Sequence, residues 1–277
     1  MALGRRGWLS GVAAAAATRA ARAQTPPARV FDAQFHIFDP YFPLIPDHGF
    51  EPVPFPVDAY LSNVVSFNVT AGAVVASLFQ GYDQAFMADA LRRLGPDFVG
   101  VAQVPFGISD EAMLEIAQYG VRGLRFNMAL GEAADFNEVL ALAHRAHDVA
   151  GWHTEFSVDA ATLRPHVDQL ARLPAFSIDH LGLTEAGLPV VLDLVGGGAW
   201  VKANGFGQTD LNVPRALEQI ALRNPNALVF GTDMPSTRAR VPFGPADMTL
   251  INAVLGSAIS QKVFWDNALR LYRVPEP

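Results

Sequence analysis

The stretch VFDAQFHIFDP, residues 30–40, alternates apolar and polar residues. In a strand this pattern predicts Asp32, Gln34 and His36 on one face and Ala33, Phe35 and Ile37 on the other. Histidine at both positions of a His-x-His pair would bring two imidazoles to one metal ion. Here the first position is glutamine, a poor ligand. That leaves a metal enzyme, a metal-free relative and an inactive scaffold all open. Further along, GVRGLRFN puts Arg125 and Asn127 on one face, and WHTEFSVD offers His153, Glu155 and Ser157. FSIDHLG ends with Asp179-His180, WVKANGFG aligns Trp200, Lys202 and Asn204, and VFGTDMP ends with Asp233. Ionisable groups are costly to bury, so their recurrence at the ends of apolar runs needs a chemical reason. Taken singly each has a structural reading. His153 can be a satisfied core histidine, Arg122 can snorkel and Asp179 can cap a turn. His48, His144, His147 and His166 fall in loop or helical stretches and read as surface residues.

The elements that must carry these residues alternate short apolar runs with amphipathic segments. Strands are predicted over 29–37, 71–79, 98–104, 121–128, 152–158, 175–181, 199–205 and 227–233. Helices are predicted near 57–67, 83–94, 109–119, 134–150, 160–172, 185–195, 213–223, 246–256 and 260–272. Eight strand–helix pairs are the count of a single α/β barrel of the (β/α)8 TIM type. Losing the weak run 98–104 would leave an open sheet instead. In the barrel, the polar residues converge at the C-terminal ends of the strands, where such folds carry their sites. The Pro-rich loop 40–56 follows the first strand and is expected over that mouth, where Tyr41 and Phe50 can cover a ligand.

Ahead of the barrel, MALGRRGWLSGVAAAAATRAARAQ carries Arg5-Arg6, an Ala-rich run and Ala21-Arg22-Ala23. This pattern is that of a twin-arginine export signal over residues 1–23, with periplasmic or secreted location as its consequence. Removing 23 of the 277 residues leaves 254, residues 24–277, the size of one large α/β domain. Four arginines and no acids leave with the leader, so the net charge falls from −7 to −11. Such a chain is not expected to bind nucleic acid or anionic membranes, and any anion site needs local cations. There is no cysteine, which excludes disulfides, thiolate nucleophiles and zinc–thiolate sites. No later run has the length of a membrane span, so no membrane anchoring is expected after cleavage.

DAQFHIFDP, GVRGLRFN, IDHLG, GTDMP and the closing VFWDNALRLY together resemble the amidohydrolase superfamily. More narrowly they resemble its branch of 2-pyrone-4,6-dicarboxylate and sugar-acid lactone enzymes, from about Val30 to Tyr272. The resemblance implies a barrel hydrolase. The superfamily's usual first-strand motif is His-x-His and its usual bridging ligand is a carboxylated lysine. This chain has Gln34-x-His36, and Arg125 and Asn127 stand on the fourth strand where that lysine would be. The lactonase branch works without a metal, with histidines as electrophiles and an aspartate that activates water.

Lactone hydrolysis needs a water nucleophile, a general base and a stabilised oxyanion. Asp233, at a strand terminus before Met234-Pro235, is the expected base. His36, His180 and the Gln34 amide are the expected donors to the carbonyl oxygen. Arg125 and Lys202 are expected to hold a substrate carboxylate, with Asn127, Asn204, Glu155, His153 and Tyr41 completing the substrate site. The leading expectation is thus a cofactor-free hydrolase of a small carboxylated lactone. A lactone isomerase would use the same aspartate. A mononuclear hydrolase or decarboxylase would hold one zinc or manganese ion on His36, His153 or Glu155, His180 and Asp233. A non-catalytic periplasmic binding protein would keep the cations without needing Asp233 and His180 together.

Overall fold

The computed structural model describes residues 27–128 and 135–275, so the expected leader lies outside the described residues. Eight parallel strands form one sheet in sequence order. They are β1 Val30–Phe35, β2 Val69–Val75, β3 Phe98–Ala102, β4 Val121–Asn127, β5 His153–Ser157, β6 Phe176–Ile178, β7 Trp200–Ala203 and β8 Leu228–Phe230. The last strand returns to the first. Phe35 bridges Met234 in parallel, the Asp233 N–H donates to the Gln34 carbonyl at 2.7 Å, and the His36 N–H donates to the Met234 carbonyl at 2.8 Å. The run at 98–104 is a true strand, and the chain is a (β/α)8 barrel.

Helices α1 Val57–Val64, α2 Ala85–Leu94, α3 Asp110–Gln118 and α4 Phe136–Ala150 cover the first half. Helices α5 Val167–Leu170, α6 Leu188–Gly196, α7 Val213–Arg223, α8 Pro245–Gln261 and α9 Asn267–Tyr272 cover the second. Their starts follow local chemistry. The Ser109 hydroxyl accepts from the Ala112 N–H before α3, whose first turn carries Asp110 and Glu111. Asn212 caps α7 ahead of Pro214. The helix predicted over 160–172 is instead a 3-10 segment, Ala160–His166, leading into the single turn of α5. Pro165 sits inside it and has no N–H for an α-helical ladder.

Strand β1 departs from simple alternation. Its register with β2 shifts between Asp32 and Phe35, a bulge that changes which residues face inward. Ala33 joins Phe31 and Val229 in an apolar cluster that α9 closes with Leu271 and Tyr272. Asp32 turns the other way, accepting from the Tyr60 hydroxyl of α1 (3.0 Å) and from the Thr232 N–H (2.8 Å) and hydroxyl (2.7 Å). Phe35 stacks on that same tyrosine. Asp32 therefore does not share a face with Gln34, and Ala33 does not share one with Phe35. Burial pushes the Asp32 carboxyl up to about 6 despite its donors.

The loop 40–56 is tied down at both ends and at its tip. Phe38 pairs with Phe55, the Ile45 N–H donates to the Phe79 carbonyl, and Asp47 pairs with Arg238 from the segment after β8. No helix among the described residues is long and apolar enough to cross a membrane.

Candidate active site

A cavity of about 310 Å³ opens at the C-terminal ends of the strands. His36 enters it just past β1, Arg125 and Asn127 from the end of β4, His180 after β6 and Asp233 after β8. The expected base, two of the expected electrophiles and one expected cation therefore share one wall-to-wall space. Asp233 and His180 both have positive φ, 57° and 52°, a backbone region that non-glycine residues enter at a cost. That strain, about 1–3 kcal/mol each, is held by the surrounding fold and is typical of functional positions.

Asp233 is buried and heavily solvated by protein donors. Its Oδ1 accepts from Gln34 Nε2 at 2.9 Å, and its Oδ2 accepts from Gln208 Nε2. His36 Nε2 lies 3.6 Å from Oδ1. Burial alone pushes this carboxyl up. The positive charge of His180, the hydrogen bond and charge of His36 and the charge of Arg125 outweigh burial and hold it down at about 2. Asp233 is thus a carboxylate at any working pH.

The other rings and cations have defined partners. His36 Nδ1 lies 2.8 Å from the Val75 carbonyl, which can only accept, so Nδ1 carries a hydrogen and Nε2 faces the cavity. Arg125 NH1 is 2.9 Å from Asp179 Oδ2. The N–H directions miss that carboxylate, so Nε and NH1 have no hydrogen-bond acceptor among the described residues. Asn127 Oδ1 and His180 Nδ1 are likewise buried without a hydrogen-bond partner among them. Unpaired buried polar atoms are costly, and here they belong to residues that line the cavity.

The His180 ring rests on Gly205, whose φ is +60° and whose absent Cβ would sit 2.3 Å from Nδ1. Gly205→Ala is therefore expected to displace His180. Turnover should fall more than about tenfold, with a loss of roughly 1–3 kcal/mol in stability from overpacking. Steady-state kinetics and thermal melts check both; a variant matching the parent in each would show the ring tolerates the shift.

Several residues expected at the substrate lie below the cavity. Lys202 has no exposed surface; its ammonium donates to Gln34 Oε1 (2.9 Å) and to Glu155 Oε2, and lies 3.6 Å from Asp179 Oδ1. Glu155 also accepts from the Tyr272 hydroxyl (2.8 Å) and contacts His153 Nε2 (3.0 Å). Burial raises the Glu155 carboxyl, but Lys202 and His153 outweigh it and lower it to about 2. His153 is further tied to the Arg122 carbonyl. Asn204 accepts from the His180 backbone N–H at 3.1 Å, a supporting contact under the ring. Gln34 is fully buried, with its amide spent on Lys202 and Asp233 rather than on a carbonyl in the cavity. Tyr41 fails for the opposite reason: it is 86 % exposed, lies edge-on against Phe42 and does not line the cavity. Phe50 packs on Phe79, which does.

Lining residues that strand patterns did not single out come from loops. Gln208 follows β7, and Arg238 and Arg240 follow β8. Arg238 pairs with Asp47 and lies over Phe50, while Arg240 is 2.8 Å from Asp210. The run STRAR beside Asp233, in so acidic a chain, is the sequence signal for the two arginines. Gln208 has none.

Two of the residues that a metal site would draw on, Gln34 and Glu155, are already engaged. Gln34 turns its oxygen to an ammonium and Glu155 is held by three partners, whereas His36, with Nδ1 on a carbonyl, keeps Nε2 for the cavity. Among the described residues, no group of three or more His, Cys, Asp and Glu converges to hold an ion.

A family model described as amidohydrolase matches residues 31–274. A 2-pyrone-4,6-dicarboxylate hydrolase of Comamonas testosteroni is 28 % identical over 283 aligned residues, covering 89 % of this chain and 90 % of that protein. A solved structure from Agrobacterium tumefaciens superposes with a TM-score of 0.79 at 20 % identity, over 91 % of this chain and 98 % of that one. Another, a probable 2-pyrone-4,6-dicarboxylic acid hydrolase from Acinetobacter baumannii with citric acid bound, superposes at 0.76 and 18 % identity, over 88 % and 99 %. These two likenesses are of fold.

Proposed function

The chain belongs to the amidohydrolase family and is a hydrolase of that superfamily, and we propose that it opens a small carboxylated lactone without a metal ion. One observation carries this reading: an ionised Asp233 faces a cavity that also holds His36, His180 and Arg125. The likeness to a 2-pyrone-4,6-dicarboxylate hydrolase supports the substrate class.

Arg125 lines the cavity and receives a substrate carboxylate there, and Arg238 and Arg240 add positive charge at the rim. Asp233 takes a proton from water as the water oxygen bonds to the lactone carbonyl carbon. His36 and His180 face the oxyanion. The tetrahedral adduct collapses by breaking the ring C–O bond, and the proton on Asp233 passes to the departing oxygen. Water and lactone thus become one hydroxy acid, or its keto tautomer. Because His36 Nδ1 is committed to Val75, its Nε2 donates into the cavity only when the ring carries both protons. The reading includes export, which Arg5-Arg6 and Ala21-Arg22-Ala23 support.

Assay of 2-pyrone-4,6-dicarboxylate and a panel of sugar-acid lactones, before and after chelation, tests the proposal. Hydrolysis that survives chelation is expected; activity lost to chelator and restored by zinc or manganese overturns the metal-free part. Arg125→Met should weaken binding of the carboxylated substrate by about 1.5–3 kcal/mol with little change in kcat. Calorimetry showing unchanged affinity would remove Arg125 from the substrate site.

The pH profile follows from the same groups. A base held down at about 2 stays ionised as pH falls from 7 to 4, so kcat/KM should not decline there through Asp233. An acid limb in the ordinary carboxylate range, in protein shown to stay folded, would contradict this assignment.

A further inference from the structure

We propose that Lys202 is a positioning residue for Asp233, acting through the side-chain amide of Gln34. The inference rests on Asp233 being the base. Lys202 lies in the middle of the barrel with no exposed surface and does not line the cavity, so it acts only through neighbours. An ammonium has three donors and no acceptor. Facing it at 2.9 Å, Gln34 must present Oε1. The other end of the amide, Nε2, is then directed at Asp233 Oδ1, also at 2.9 Å. One neighbour of this glutamine only donates and the other, a carboxylate, only accepts, so a single amide orientation satisfies both.

The anchor itself is over-determined. Besides Gln34, Lys202 donates to Glu155 and faces Asp179, and Glu155 is in turn held by His153 and Tyr272. The link reaches Asp233 twice, because the Gln34 carbonyl also accepts the Asp233 N–H. On its other oxygen, Asp233 is held by Gln208, a loop residue that lines the cavity. The two glutamines therefore differ: Gln34 is locked from behind by Lys202, whereas Gln208 ends the 3-10 turn Phe206–Gln208 and lines the cavity. Other charged or titratable groups around Asp233 include His180, His36 and Arg125, with Arg238 and Arg240 in the same cavity. An amide, unlike imidazole, cannot gain or lose a charge, so this donor to Asp233 persists at every working pH. That gives the glutamine in the His-x-His position a function of its own.

The test uses the full chain labelled with carboxyl-¹³C aspartate, with the Asp233 resonance assigned from Asp233→Asn. The double variant Lys202→Met/Glu155→Gln removes both buried charges together, so neither is left unpaired. Expected is an upward move of the Asp233 titration midpoint by about one unit or more, as one donor to the ionised form loses its orientation. On 2-pyrone-4,6-dicarboxylate, kcat should fall by roughly tenfold or more with KM within about twofold. Gln34→Glu is the second variant. It keeps shape but replaces the donor with a second carboxylate, and should raise the midpoint further and bring an acid limb into the pH–rate profile. Either folded variant with an unmoved Asp233 midpoint and unchanged kcat overturns the proposal, as does a rise in KM alone. If the double variant fails to fold, Gln34→Glu decides. Wild-type protein inert on every lactone would remove the proposed reaction, while the titration would still decide the link from Lys202 to Asp233.

Discussion

Asp233→Asn should lower turnover by roughly 10²–10⁴-fold while leaving the fold and ligand binding intact. The amide keeps the size of the carboxylate but cannot take a proton from water. The structure also says how the variant will settle. Both Gln34 and Gln208 donate to Asp233, whereas asparagine has one acceptor oxygen. Gln34 cannot turn, because Lys202 holds its oxygen. The new oxygen should face Gln34 and the new amide NH2 should face Gln208, which can flip to accept it. Stability should fall by about 1–3 kcal/mol, because a carboxyl that the fold holds down at about 2 is one that folding favours in its ionised form. Binding of an anion such as citrate should hold or tighten, since a negative charge leaves a cavity that contains Arg125, Arg238 and Arg240. Steady-state kinetics with calorimetry on citrate measures both. Parent-like turnover by a well-folded variant would make Asp233 a structural residue and end the mechanism.

Lys202→Met alone should destabilise the protein by about 3–5 kcal/mol, the usual consequence of leaving one partner of a buried ion pair without the other. Glu155 is fully buried and would keep only His153 and Tyr272. Asp179 would retain Arg125. For a chain of this size such a loss lowers Tm by roughly 6–20 °C. Adding Glu155→Gln should restore most of it, because methionine fills the lysine stem's volume and the orphaned charge is gone. Melting curves of the two single variants and the double variant give the coupling directly. If the lysine variant melts with the parent, the pair contributes nothing to the fold and the central ion cluster is an accident of packing.

Much of this molecule is written locally in its residues. The alternation of apolar runs with amphipathic segments reports a repeating βα unit, because burial on both faces of a parallel sheet demands it. The motifs ending in Asp233, His180 and Arg125 stand out because ions near strand ends are expensive unless they work or pair. What a pattern of types cannot report is depth. The strands drawn as 175–181, 199–205 and 227–233 end in the structure at Ile178, Ala203 and Phe230. Asp233 and His180 therefore lie past their strands and reach the mouth. Lys202, Glu155 and His153 lie within theirs and meet beneath it. Their partnership joins β5 to β7 over β6, and Lys202 meets Gln34 of β1 only once β8 has closed onto that strand. The bulge in β1 is the same lesson at one residue's scale. Alternation predicts a face for Asp32 and Gln34 together, but the register shift against β2 turns one toward Tyr60 and the other toward Lys202. Types and periodicity thus determined the barrel and which residues were chemically costly. Closure, register and depth, which depend on strands distant in the chain, decided which of them face the cavity and which hold it in place.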